Sequence, residues 1–120
     1  MLPTRIEHFL NAGDIVAAEI TPAGSATRVF VCISPRPKPG VPREERRYLN
    51  STWSMWEYWD FEFRRMTLRT GWEDDEWNYD RYLLADERRT TYAPDDFANT
   101  LTQWVPDASL LKHCTESACP

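Results

Sequence analysis

The sequence predicts an α+β fold, a single small domain of mainly antiparallel β-sheet with helices packed on one face. Three patterns carry this. Ile15–Ile20 and Thr27–Ile33 are rich in β-branched residues and flank the turn sequence Thr21-Pro22-Ala23-Gly24-Ser25-Ala26. Trp59 to Phe63 alternates aromatic and acidic residues with the period of a strand. Phe97, Leu101, Trp104 and Val105 then recur at helical spacing. The order α-β-β-loop-β-β-α-α groups the strands between helices, which favours antiparallel hairpins over parallel crossover units.

Taken in order, residues 3–12 form a short helix: Pro3 suits the first turn, Ile6, Phe9 and Leu10 share a face, and Gly13 suits the position after the end. The two β-branched runs make a hairpin around residues 21–26. Ser34–Pro42 holds four of the nine prolines and is expected to be an extended solvated connector, neither helix nor inner strand. Residues 43–58 fit helix and strand equally. In the next strand Trp59, Phe61 and Phe63 lie on one face, but Met66 and Leu68 fall in the opposite phase, so a β-bulge is expected at Arg64-Arg65. Tyr79–Leu84 is the expected antiparallel partner of 59–69, joined to it by an acidic loop. Pro94-Asp95-Asp96 starts a helix with acids at the positive end of its dipole. Pro106-Asp107 restarts a second short one carrying Leu110 and Leu111. The expected domain is 1–113, with 114–120 a frayed tail.

At 120 residues, 42% hydrophobic and 28% charged, the chain has globular values and enough length for one core. Six tryptophans exceed what a core this small needs, so part of them are expected at the surface. The charge is uneven. Gly71–Asp96 carries nine carboxylates against three arginines, a balance of −6, while the whole chain stands at −5. The segment also contains Trp72, Trp77, Tyr79, Tyr82 and Tyr92. An acidic chain lacks the positive field that phosphate contacts require, which argues against nucleic acid as partner.

Catalytic patterns are missing. His8 and His113 are the two histidines, the four glycines are scattered, and Glu73-Asp74-Asp75-Glu76 lacks the alternating oxygens and central glycine of a calcium loop. His113-Cys114 is a weak nucleophile pair because sequence neighbours diverge on a helix, and with Cys119 it lacks a fourth zinc ligand. Capping or solvent exposure suits both histidines better. Cys32 reads as a small core residue, and Cys114 and Cys119 have the spacing to pair. The N-terminus has no apolar signal core and no run approaches the ~20 apolar residues of a membrane span. The expected compartment is the cytoplasm, with no membrane, metal or cofactor.

These features favour a binding protein over an enzyme. Clustered carboxylates steer a basic partner and aromatics supply adhesive area. The expected contact is Trp72, Glu73, Asp74, Asp75, Glu76, Trp77, Tyr79 and Asp80. The expected role is an inhibitor of the immunity type, neutralising a basic toxin or effector such as a bacterial nuclease. Three alternatives stand beside it: a phage-type inhibitor that mimics DNA; a ligand-binding or enzyme domain with a pocket of Trp53, Trp56, Trp59 and Phe61; and a homodimer that buries its own edge strands.

Overall fold

In the computed structural model the two long central strands, Thr27–Pro37 and Trp59–Arg69, lie where the β-branched and aromatic residues concentrate. The structure describes residues 2–40, 55–74 and 80–119, with the side chains of Met55 and Glu73 outside that description. The strands are β1 Val16–Glu19, β2 Thr27–Pro37, β3 Trp59–Arg69, β4 Leu83–Thr91 and β5 Lys112–His113. They pair antiparallel in the order β4-β3-β2-β1-β5. The helices are α1 Thr4–Asn11, the single turn α2 Met55–Tyr58, and α3 Pro94–Trp104. The fold is therefore α+β, with α1 and α3 on one face, as the patterning predicts.

The end of α1 shows how tightly the helix is tied to the sheet. Gly13 takes φ +87°, and a Cβ there would lie 3.2 Å from the Trp59 ring. Glycine thus serves both the left-handed turn and the close approach. Trp59 Nε1 donates to the Asn11 carbonyl at 3.2 Å, satisfying a helix-end acceptor that α1 itself leaves open. The tryptophan is 7% exposed and acts as a strut between helix and strand.

Four expectations need correction. The first is the proline segment. Its first part is strand: β2 runs to Pro37, between β1 and β3. Ile20 N–H donates to Val29 O, so the backbone of odd-numbered β2 residues faces β1. β1 ends opposite Ile33. The backbone of Pro35 and Pro37, which lack an N–H, therefore faces a side with no partner strand among the described residues, where a sheet tolerates proline. Residues 41–54, including Arg43, Arg46, Arg47 and Trp53, lie outside the described residues.

Second, there is no bulge at Arg64-Arg65. The β2–β3 register is unbroken from Thr27↔Arg69 to Pro37↔Trp59. The phase flip has another cause: both faces of the sheet are covered. Trp59, Phe61 and Phe63 join the helix-side core, while Met66 and Leu68 join Phe30 and Trp72 on the opposite face. The register shift sits instead opposite Thr67 and Leu68, where β4 accommodates the extra residue Leu84.

Third, β4 is Leu83–Thr91 rather than 79–84, though its partner is β3 as expected. Ala85-Asp86-Glu87-Arg88-Arg89 reads as polar because this is an outer strand, with charges that discourage further pairing. Fourth, the segment after Pro106 departs from the expected second helix. A 3₁₀ turn at Ala108–Leu110 takes its place, capped by the Asp107 carboxylate. β5 follows and pairs with β1. A last 3₁₀ turn, Cys114–Glu116, leads to Cys119, which packs under the opposite face. Arg5 of α1 pairs with Glu116.

The helix-side core is an aromatic lattice. Phe97 of α3 meets Trp56, Phe61 and Phe63 at centroid distances of 4.9, 5.1 and 5.2 Å. Such tilted pairs contribute about 0.5–1.5 kcal/mol each beyond their buried area. Trp104 closes one end of the lattice, with the guanidinia of Arg65 and Arg89 over its ring at 4.7 and 5.3 Å. Among the described residues, no helix is long and apolar enough to cross a membrane.

Candidate functional site

The acidic segment that dominates the sequence does not form one patch. Asp86 and Glu87 lie in mid-β4 and are spent on cross-strand ion pairs. Arg64 grips Asp86 through two bonds of 2.8 Å, holding the carboxyl below its usual range, and Arg65 reaches Glu87 at 2.6 Å. Asp74 and Asp80 lie before β4, and Asp95 and Asp96 follow it. A nine-residue strand separates the two ends, about 30 Å at the rise of an extended chain. Asp74, Asp80, Asp95 and Asp96 are all exposed, with no ion-pair partner among the described residues.

The expected contact residues divide accordingly. Asp74 and Asp80 are at the surface. Trp72 is 9% exposed and packs edge-on against Phe30 at 6.0 Å, so it is a core residue and not a surface anchor. Its indole N–H finds no acceptor among the described residues. The Glu73 side chain, Asp75, Glu76, Trp77 and Tyr79 lie outside the described residues. Of the other described tryptophans, Trp59 and Trp104 are buried and Trp56 is half-buried.

Of the expected pocket residues Trp53, Trp56, Trp59 and Phe61, the last three pack into the helix-side core, and Trp53 lies outside the described residues. Trp56 stands edge-on to Phe61 at 5.3 Å and to Phe97 at 4.9 Å. A depression of about 170 Å³ remains beside Trp56, bounded by Leu2, Pro94, Phe97 and Leu101.

His113 performs the capping role expected of it. Its Nδ1 accepts from Thr115 N at 3.2 Å, which places the neutral ring's proton on Nε2, facing Asp14 Oδ2 at 3.5 Å. Cys114 Sγ lies 3.9 Å from the same Nδ1, but that lone pair already serves the turn. The ring also stacks edge-on to Phe9 at 4.8 Å, docking the chain end on α1.

The cluster that composition alone concealed lies on the sheet face away from the helices. Cys32, Arg64 and Arg88 stand directly opposite one another on β2, β3 and β4. Cys119 returns from the chain end to place its sulfur 2.8 Å from that of Cys32. Together with Ile15, Ser34, Arg36, Glu62 and Cys114 they line a cleft of about 370 Å³. Glu62 lies 3.5 Å from Arg36 and 3.9 Å from Arg88, and Asp86 bonds Arg64. Whether Cys114 and Cys119 pair is open in the sequence; in the structure Cys119 contacts a residue 87 positions away. No sequence spacing reveals that contact, nor the register that sets Cys32 opposite Arg64. Among the described residues, no three His, Cys, Asp or Glu side chains converge to hold a metal ion.

Comparison with family models, with curated proteins and with solved structures finds no match for this chain.

Proposed function

We propose that the protein is a small acidic binding protein of the inhibitor type, which covers a basic surface on a partner protein. In this reading it is an immunity-type protein for a basic toxin or effector such as a nuclease, with its contact at the connector between β3 and β4. One observation carries the reading. Carboxylates of the sheet are matched: Glu19 by Arg28, Asp60 by Lys38, Glu62 by Arg36, Asp86 by Arg64 and Glu87 by Arg65. Asp74 and Asp80 are exposed and unmatched among the described residues. Residues 69–81 keep a balance of −3 after Arg69 and Arg81 are counted. Unmatched surface charge accelerates encounter with an oppositely charged partner and makes it salt-sensitive. The filled aromatic lattice favours this over a ligand pocket.

The test is affinity capture on the immobilised chain, using the product of the neighbouring gene, at low and high salt. A basic protein retained at low salt and weakened at high salt is the expected result. The triple variant Asp74→Ala, Asp75→Ala, Glu76→Ala then slows association and flattens its salt dependence. The pair Asp95→Ala, Asp96→Ala, at the other end of β4, leaves both unchanged. Equal effects from the two sets, or none from the triple variant, overturn the placement of the contact.

A further inference from the structure

We propose that Cys32 and Cys119 are a redox-active dithiol that exchanges with small anionic disulfides, closing a reversible bond between β2 and the chain end. The two cysteines pack against the apolar cluster that holds Trp72, but the proposal does not depend on the binding role assigned to the acidic connector.

Geometry supports the pair. The sulfurs are 2.8 Å apart, less than about 1 Å beyond the ~2 Å of a disulfide bond. Both thiols are half-buried and line the cleft, which gives a small reagent access. The two are not equivalent. The Cys32 thiol is pushed down, first by the hydrogen bond from Cys119 and then, against burial, by the Arg64 guanidinium. The Cys119 thiol is pushed up, because its proton is the one shared with Cys32. Cys32, directly opposite Arg64 on the neighbouring strand, is the attacking sulfur in this scheme and Cys119 the resolving one.

The cleft also selects its reagent. It presents Arg36, Arg64 and Arg88, with Glu62 and Asp86 as counterions, leaving one positive charge in a chain of −5. Arg36 and Arg88 are more than half exposed and face an incoming ligand. A disulfide bearing carboxylates suits this site better than a cationic one.

The chemistry balances. The Cys32 thiolate attacks one sulfur of the reagent R–S–S–R, forming a Cys32–S–S–R mixed disulfide and expelling one RS⁻. The Cys119 thiol loses its proton to solvent and attacks Cys32 Sγ, expelling the second RS⁻. The protein loses two electrons and two protons, and the reagent leaves as two RSH after protonation.

The test equilibrates the full chain in mixtures of oxidised and reduced glutathione, quenches with acid, alkylates and maps the peptides by mass spectrometry. The expected product is a Cys32–Cys119 bridge with Cys114 alkylated, formed and reversed about a single midpoint. At low salt, oxidised glutathione reacts on the order of tenfold faster than the cationic disulfide cystamine, as electrostatic focusing predicts. Arg36→Ala with Arg88→Ala removes that preference. Cys119→Ser stops at the Cys32 mixed disulfide, while Cys114→Ser changes nothing. A Cys114–Cys119 bridge, a Cys32 that stays reduced in excess oxidant, or equal rates for the two reagents overturns the proposal. The wild-type map decides the pairing even where a cysteine variant fails to fold.

Discussion

The two faces of the sheet are built from alternate residues of the same strands, yet different forces hold them. Toward the helices, Val31, Ile33, Phe61 and Phe63 meet Ile6, Leu10, Phe97 and Leu101 in a dry lattice. Away from them, the apolar part is small: Phe30, Met66, Leu68 and Trp72, with Cys32 and Cys119 at its margin. Beyond it run cross-strand ion pairs, Arg28–Glu19, Arg64–Asp86 and Arg36–Glu62. Apolar burial is indifferent to pH and nearly so to salt, whereas exposed ion pairs weaken with both. One face therefore sets how stable the fold is, and the other sets how stability responds to conditions.

The strongest way to break that contrast is Phe63→Ala, which empties a site that is fully buried between β3 and α3. The expected loss is about 3–5 kcal/mol, read by urea unfolding, and similar at every pH where the protein folds. A loss below 1 kcal/mol contradicts a close-packed lattice. Next is Trp72. Trp72→Ala is expected to cost about 3 kcal/mol, the low end for tryptophan, since its N–H lacks a described acceptor. Trp72→Phe should cost under about 1.5 kcal/mol. Unchanged stability in Trp72→Ala would return this ring to the list of surface anchors.

The smallest effect sharpens the ionic side. Arg28 holds the Glu19 carboxyl near 2, down from 4.5. A depressed carboxylate stabilises the fold above its unfolded value, and that contribution fades as pH falls from 4.5 toward 2. Glu19→Gln should thus be less stable than the parent at pH 7. The gap is under about 1 kcal/mol because the pair is partly exposed, and it vanishes near pH 2. A gap that persists in acid assigns the loss to packing instead of charge.

Much of the fold was legible because local rules act locally. Pro3 and Gly13 bracket α1, the residues after Ile20 turn the first hairpin, and Pro94-Asp95-Asp96 opens α3 as written. The errors share one origin. Assuming a one-sided sheet makes the opposite phase of Met66 and Leu68 look like a bulge, whereas a second apolar cluster accounts for it. The same assumption turned Trp72 outward. Pro35 and Pro37 were misplaced because their tolerance depends on where β1 stops, a fact of pairing and not of composition. The acidic cluster was real in sequence but divided in space, since a strand in its middle carries its ends apart. The meeting of Cys32 with Cys119 is a long-range contact with no spacing signature.

The placement of β5 also governs how the molecule is made. It covers the flank of β1 at Val16 and Ala17, yet among the described strands it is the last in the chain. At ~5–20 residues per second, the stretch from Pro37 to His113 takes about 4–15 s to synthesise. Throughout that interval the nascent chain offers an unsealed margin of backbone donors and acceptors to its neighbours on a polysome. Crowded translation is then a condition in which that margin is open to mispairing.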